Sequence, residues 1–134
     1  MIPPIASNFV AGESAAAALD HARQMNDDGV AVILNLLGEH YQERGPADED
    51  ADVYVQLVED IATTDLDACV SVKPSQIGLD AGDHVFEENY RRIAAAADEH
   101  DVFLWCDMED HETTDVTLDA FEELAREFDG GMGL

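Results

Sequence analysis

Regular alternation is the feature that most constrains this chain. Short apolar runs rich in β-branched residues occur at 30–34 (VAVIL), 68–72 (ACVSV) and 102–106 (VFLWC), with a last one starting at Met132. Runs this short and apolar throughout are those of strands covered on both faces, as in a parallel sheet. Asn8-Phe-Val10 adds a candidate first strand. Between the runs, residues 14–27, 47–63, 83–100 and 115–128 carry apolar side chains three and four apart, as at Val85, Phe86, Tyr90, Ile93 and Ala97. That spacing predicts amphipathic helices. Ser14, Asp83 and Asp115 stand where N-caps are expected, and Gly29, Gly130 and Gly131 where helices stop. The predicted order is β-α-β-α-β-α-β-α-β.

Strict alternation means parallel strands joined by right-handed crossovers, either in a doubly wound open sheet or in part of an eight-fold barrel. The strand-end loops help to choose. Polar residues gather after three of the runs, at Asn35-Leu-Leu-Gly-Glu39, Lys73-Pro-Ser-Gln76 and Asp107-Met-Glu-Asp110. Function at the carboxyl ends of successive strands is the rule for barrels and is shared by open sheets only near a switch point. No glycine fingerprint of the dinucleotide or P-loop type is present, since Val10-Ala-Gly12-Glu13 offers one glycine where those turns need several. The expected fold class is α/β, about half of a (β/α)8 barrel. A whole barrel takes ~250 residues, so residues 1–134 are expected to form a single partial, truncated barrel domain.

Charge narrows the function classes. Six Lys plus Arg against 31 Asp plus Glu give a formal charge of −25, spread along the chain rather than gathered in a tail. Such a surface repels phosphates, which argues against nucleic-acid binding and against adhesion to anionic lipid. No apolar run approaches a membrane span and the start, Met1-Ile-Pro-Pro, has no signal-peptide pattern, so a cytoplasmic location is expected. Self-repulsion at this charge is screened within about 3 Å at molar salt, which points to a salt-adapted, halophilic source. Cys69 and Cys106 lie inside apolar runs without a CxxC spacing and read as small hydrophobes, not as a disulfide or zinc pair.

Lys73 is the sole lysine and follows directly on an apolar strand. At a strand-end mouth its ammonium would hold a substrate carboxylate or form a Schiff base, unless it serves a structural ion pair. Asp107 ends the 102–106 run in the register that faces a barrel axis, placed to orient a cofactor edge or to neutralise Lys73, although Asp is also a common loop starter. Glu39, after Gly38, would act as a gate or cation partner, against the alternative of a solvated loop glutamate. The carboxylates Asp107, Glu109 and Asp110 with His111 lack any EF-hand or HExxH spacing, and no metal site is expected. The five histidines read as surface residues, and Phe103 and Trp105 as packing.

Four stretches resemble the proline dehydrogenase family: Phe9-Val-Ala-Gly-Glu13, Leu36-Leu-Gly-Glu39, Ser71-Val-Lys-Pro-Ser-Gln76, and Asp107-Met-Glu-Asp110 followed by Thr114-Asp-Val-Thr-Leu118. They fall in the family's order over essentially the whole chain. The resemblance implies an FAD-dependent barrel that oxidises L-proline to Δ1-pyrroline-5-carboxylate by hydride transfer to the flavin. It further implies that Lys73 contacts the substrate carboxylate, that Asp107 and Met108 lie against FAD with Asp107 lining the substrate pocket, and that Glu39 is a gate residue paired with a late arginine. Asn35 and Pro74 depart from the pattern, where Asp and an apolar residue are usual. The family's flavin-binding glutamine, later aromatic residues and paired carboxylate-clamping arginines would all lie beyond residue 134, so the chain is expected to be inactive alone. Two other readings stay open: an aldolase-type barrel using Lys73 as a Schiff-base former, and a non-catalytic half-barrel that self-associates or is complemented by a missing half.

Overall fold

A computed structural model describes residues 10–134. The candidate strand at Asn8-Phe-Val10 lies outside them but for Val10, which sits in a bend. Four helices, α1 (Ala15–Asp27), α2 (Arg44–Ala62), α3 (Asp83–His100) and α4 (Thr114–Glu127), alternate with four strands, β1 (Val32–Leu34), β2 (Ala68–Val72), β3 (Leu104–Cys106) and β4 (Met132–Gly133).

All strand pairs are parallel and the sheet order is β1-β2-β3-β4. This order decides between the two architectures. A doubly wound sheet reverses its strand order at a switch point, whereas sequential right-handed crossovers keep placing helices on the same face. One face of the sheet accordingly supplies Leu34, Val70, Val72, Leu104 and Cys106 to a core shared with Tyr54, Val58 and Ile61 of α2, Phe86, Tyr90 and Ile93 of α3, and Ala120 and Leu124 of α4. Phe86 and Tyr90 stack at 5.4 Å between ring centroids. The opposite face carries Ile33, Cys69, Ser71, Phe103 and Trp105 by the two-residue period of a strand. No helix covers it among the described residues: Ile33 is 56% exposed, and Phe103 and Trp105 lean on each other at 4.9 Å. This is the layout of consecutive units of a (β/α) barrel, with the apolar inner wall facing outward.

Several element ends differ from the expected ones for identifiable reasons. Strands β1 and β3 each begin two residues later than the apolar runs. The N–H groups of Val30 and Val102 donate to Met25 and Ala97 at 2.9 and 3.0 Å, closing the preceding helices through left-handed Gly29 and Asp101. That six-to-one bond is a Schellman stop, so the first residues of each run belong to a helix end. Helix α2 starts at Arg44 rather than at 47, because Pro46 falls in the first turn, where its missing N–H costs nothing. Ser14 caps α1 as expected, accepting from the Ala17 N–H at 3.2 Å. Asp83 and Asp115 are not caps: Gly82 and Thr113 hold those positions, and the two aspartates lie in the first turns, where a negative charge suits the helix dipole. Helix α4 ends at Glu127 with Phe128 extended, before the Gly130-Gly131 pair. Both cysteines are free, Cys106 buried and Cys69 half-buried.

Candidate functional site at the strand carboxyl ends

The loops after β1, β2 and β3 meet at one end of the sheet. Extending the register by one residue past Val72 and Cys106 sets Lys73 opposite Asp107, both on the uncovered face. The Asp107 N–H donates to Val72 O at 2.8 Å, which fixes this neighbourhood. Lys73 does not pair with Asp107. Its ammonium Nζ donates to Glu39 Oε2 at 3.1 Å, spanning the β1 and β2 loops, and this contact holds the Glu39 carboxyl below the usual carboxylate range. The expectation that Asp107 neutralises Lys73 is therefore corrected, and within the described residues Glu39 takes the lysine as its cation. Asp107 is exposed, and Met108 beside it is 39% exposed.

After β2 the chain turns at once. Gln76 N–H and Ile77 N–H both donate to Lys73 O, at 3.0 and 3.2 Å. Pro74 occupies the second position of this turn, where its fixed φ is favourable, so the departure at this residue is accommodated. The turn buries Ser75 and Gln76, which bind in opposite directions. Ser75 Oγ and N–H both donate to the Glu109 carboxylate at 2.8 Å, and Ser75 Oγ accepts from the His40 N–H at 3.1 Å. Gln76 points beneath the β1 loop, accepting from Tyr54 Oη at 3.1 Å while donating to Asp50 Oδ2 at 2.8 Å and Leu36 O at 3.4 Å. Tyr54 Oη accepts in turn from the Leu36 N–H at 3.0 Å, and burial pushes the Tyr54 hydroxyl up.

His40 is exposed, as expected, and holds a partner. Its Nδ1 lies 2.9 Å from Asp80 Oδ2, and that hydrogen bond raises the imidazole above its ordinary value. The cluster Asp107, Glu109, Asp110 and His111 does not converge as a group. Instead Glu39, His40 and Glu109 bring one ligand atom each within 4.8 Å of one another. Each is also engaged elsewhere, Glu39 with Lys73, His40 with Asp80 and Glu109 with Ser75.

Sequence reasoning placed Lys73, Glu39, Asp107 and Met108 at this end and missed how they are held. Asp50 was the available signal, a carboxylate between Ala47, Ala51 and Tyr54 on the buried stripe of α2. A polar residue on such a stripe needs a partner, here Gln76 and Tyr41.

Four parallel strands in sequential order, with polar strand-end loops over an open inner wall, define a segment of a (β/α) barrel. Residues 18–132 match the family described as Proline dehydrogenase, and the chain belongs to that family. It is 38% identical over 127 residues to "Proline dehydrogenase" of Deinococcus radiodurans and 29% identical over 124 residues to "Proline dehydrogenase 1" of Bacillus subtilis subsp. natto. Each alignment covers 92% of this chain and 41% of the relative, so the chain spans about two-fifths of these curated relatives. Among solved structures it matches proline utilization A from Bdellovibrio bacteriovorus, inactivated by N-propargylglycine, with a TM-score of 0.77 and 23% identity. That match covers 92% of this chain and 15% of the other, and shows the shared fold.

Proposed function

We propose that this chain forms the part of a proline dehydrogenase, one partial barrel domain, that holds the substrate carboxylate and faces the flavin. The reaction is oxidation of L-proline to Δ1-pyrroline-5-carboxylate. The observation that carries this reading is the placement of Lys73 and Asp107 in adjacent register at the mouth of an uncovered, apolar inner wall. An ammonium at such a mouth suits a carboxylate ligand, and the wall suits a flat aromatic ring.

The residues present fit one side of FAD. Ile33, Phe103 and Trp105 offer apolar surface, Met108 extends it at the strand ends, and Ser71 Oγ on the same face is buried without a hydrogen-bond partner among the described residues. FAD, when bound, supplies a two-electron acceptor. Lys73 then binds and orients the proline carboxylate, and Glu39 shares that ammonium and closes over it. Asp107 would line the substrate pocket, and the apolar wall would help to exclude water from it.

The reading extends to the covering of the inner wall. Further barrel strands would complete it, and the chain by itself is expected to turn over no proline until they are supplied, whether by complementation or by self-association. A salt-rich cytoplasm is the proposed setting, supported by the charge of −25. No helix among the described residues is long and apolar enough to cross a membrane.

The Schiff-base alternative is disfavoured by the Glu39 contact, since an ammonium already shared with a carboxylate is arranged for binding anions rather than for nucleophilic attack. A titration of the purified chain with FAD in molar salt, following quenching of the single tryptophan, Trp105, tests the flavin part. Saturable quenching is expected. Its absence, together with no bleaching of added flavin by proline under anaerobic conditions after the remaining strands of a relative are supplied, overturns the reading.

A further inference from the structure

A buried polar knot lies directly beneath the β1 loop, and its side chains do not touch the Lys73 ammonium or the Glu39 carboxylate. Gln76, fully buried, uses its whole amide there. Its oxygen accepts from Tyr54 Oη, and its nitrogen donates to Asp50 Oδ2 and Leu36 O. Tyr41 Oη donates to the same Asp50 oxygen at 3.0 Å, and Tyr54 Oη receives the Leu36 N–H. The knot thus grips the loop at Leu36 and at Tyr41, the two sides of Glu39. Gly38 completes it by close approach. A Cβ there would stand 2.5 Å from Tyr41 Oη, 3.0 Å from Gln76 Nε2 and 3.1 Å from Asp50 Oδ2, so the backbone rests on the knot where a side chain would lift it.

The next residue along is Glu39, which reaches Lys73 at 3.1 Å. Glu39 itself is well exposed, so local packing does not hold it there. An exposed pair on a free loop is worth little, because ordering two long side chains offsets most of the attraction. Fixing the loop from below removes part of that ordering cost in advance.

We propose that Gln76 is a positioning residue, which with Tyr54 and Asp50 sets the β1 loop at the height that brings Glu39 onto Lys73. This deepens the proposed function, since it assigns what shapes the carboxylate-binding mouth, and its geometric part stands whether or not proline is the ligand. Gln76 sits three residues after the lysine on the same turn, so one segment both presents the ammonium and sets the loop that shares it.

Lys73 is the only lysine, so its acylation by an N-hydroxysuccinimide acetate, read by peptide mass spectrometry, reports directly on its pairing. Glu39→Gln calibrates release of the ion pair and is expected to speed labelling by up to about five-fold. Gln76→Leu, which keeps bulk and removes all three hydrogen bonds, is expected to reproduce most of that rise. Asp50→Asn, which keeps an acceptor for Gln76 and Tyr41, is expected to stay close to the parent rate. Val58→Ala on the same helix controls for general loss of stability. Should Gln76→Leu not fold, Tyr54→Phe takes its place, since it frees both Leu36 and Gln76.

A rise with Gln76→Leu or Tyr54→Phe, absent from Asp50→Asn and Val58→Ala, supports the proposal. It is overturned by an unchanged rate in Gln76→Leu or its substitute Tyr54→Phe, by an equal rise in Asp50→Asn or Val58→Ala, or by no rise in Glu39→Gln. None of these readings uses flavin or proline, so failure here and failure of the proline dehydrogenase reading are separately visible.

Discussion

Nζ of Lys73 lies 3.1 Å from Oε2 of Glu39, joining the first two strand-end loops over the open face of the sheet. The two residues are 34 positions apart in sequence and come together because β1 and β2 are neighbours in register. In the proposed function, a substrate carboxylate takes a place on this ammonium while Glu39 yields. Replacing Lys73 by alanine in an intact relative should therefore raise KM for proline by at least about ten-fold, with a smaller loss of bound flavin. Steady-state kinetics with flavin absorbance on the same preparation checks it, and an unchanged KM removes this role.

The same pair makes a pH prediction. The Glu39 carboxyl is lowered by the hydrogen bond and charge of Lys73. A group lowered in the folded state contributes stability that is present above its unfolded value and is lost as pH falls through its folded one. The pair is solvent-exposed, so the contribution is screened and small. Carboxyl NMR should find Glu39 titrating below an ordinary glutamate, and Lys73→Met should move it back up.

His40 runs the opposite way. Its hydrogen bond to Asp80 raises the imidazole, so the stability it contributes is fully present below the unfolded histidine value and fades as pH climbs through the raised one. In Asp80→Asn the His40 titration should fall towards that of a free histidine. Histidine ring NMR across neutral pH measures this directly, and an unmoved midpoint would show that Asp80 is not the cause.

The parallel α/β architecture was legible in the sequence because both of its signals are strong. Buried strands concentrate β-branched residues, and helices repeat their apolar face along many residues. Val30 and Val102 could not be assigned so easily, since a helix-closing residue and a strand residue can both be apolar, and only the bond to Met25 or Ala97 separates them. At the site, Lys73 stood out by rarity and Asp107 by register. Gln76 and Tyr54 did not, because a buried amide and a buried phenol look like any loop polar and any core aromatic until the partner is found.

Thiol chemistry should separate the two cysteines. Burial pushes the Cys106 thiol up to about 12, leaving almost no thiolate at mildly alkaline pH, whereas Cys69, also raised by burial, lies half-buried on the uncovered face where a reagent can reach it. Iodoacetamide on the folded chain should modify Cys69 first, and Cys106 only after denaturation. Equal rates in the folded state would mean the core opens around β3.

Truncating the core aromatic is a test of packing. Phe86 is fully buried and stacked on Tyr90, so Phe86→Ala should cost about 3–5 kcal/mol. Chemical denaturation in high salt gives the value, and a loss under about 1 kcal/mol would place Phe86 outside a close-packed core.

Among the described residues β1 and β4 each have a hydrogen-bonded neighbour on one side only. Unpaired strand edges are templates for adding more strands, and a polypeptide with two of them can extend in both directions. A charge of −25 makes each molecule repel its own copies, so the carboxylates that burden the fold in dilute buffer also act as a colloidal brake on stacking. Concentrated salt then carries two opposed effects: it relaxes strain within one molecule and releases the brake between molecules. Solubility is therefore expected to be greatest at an intermediate salt concentration.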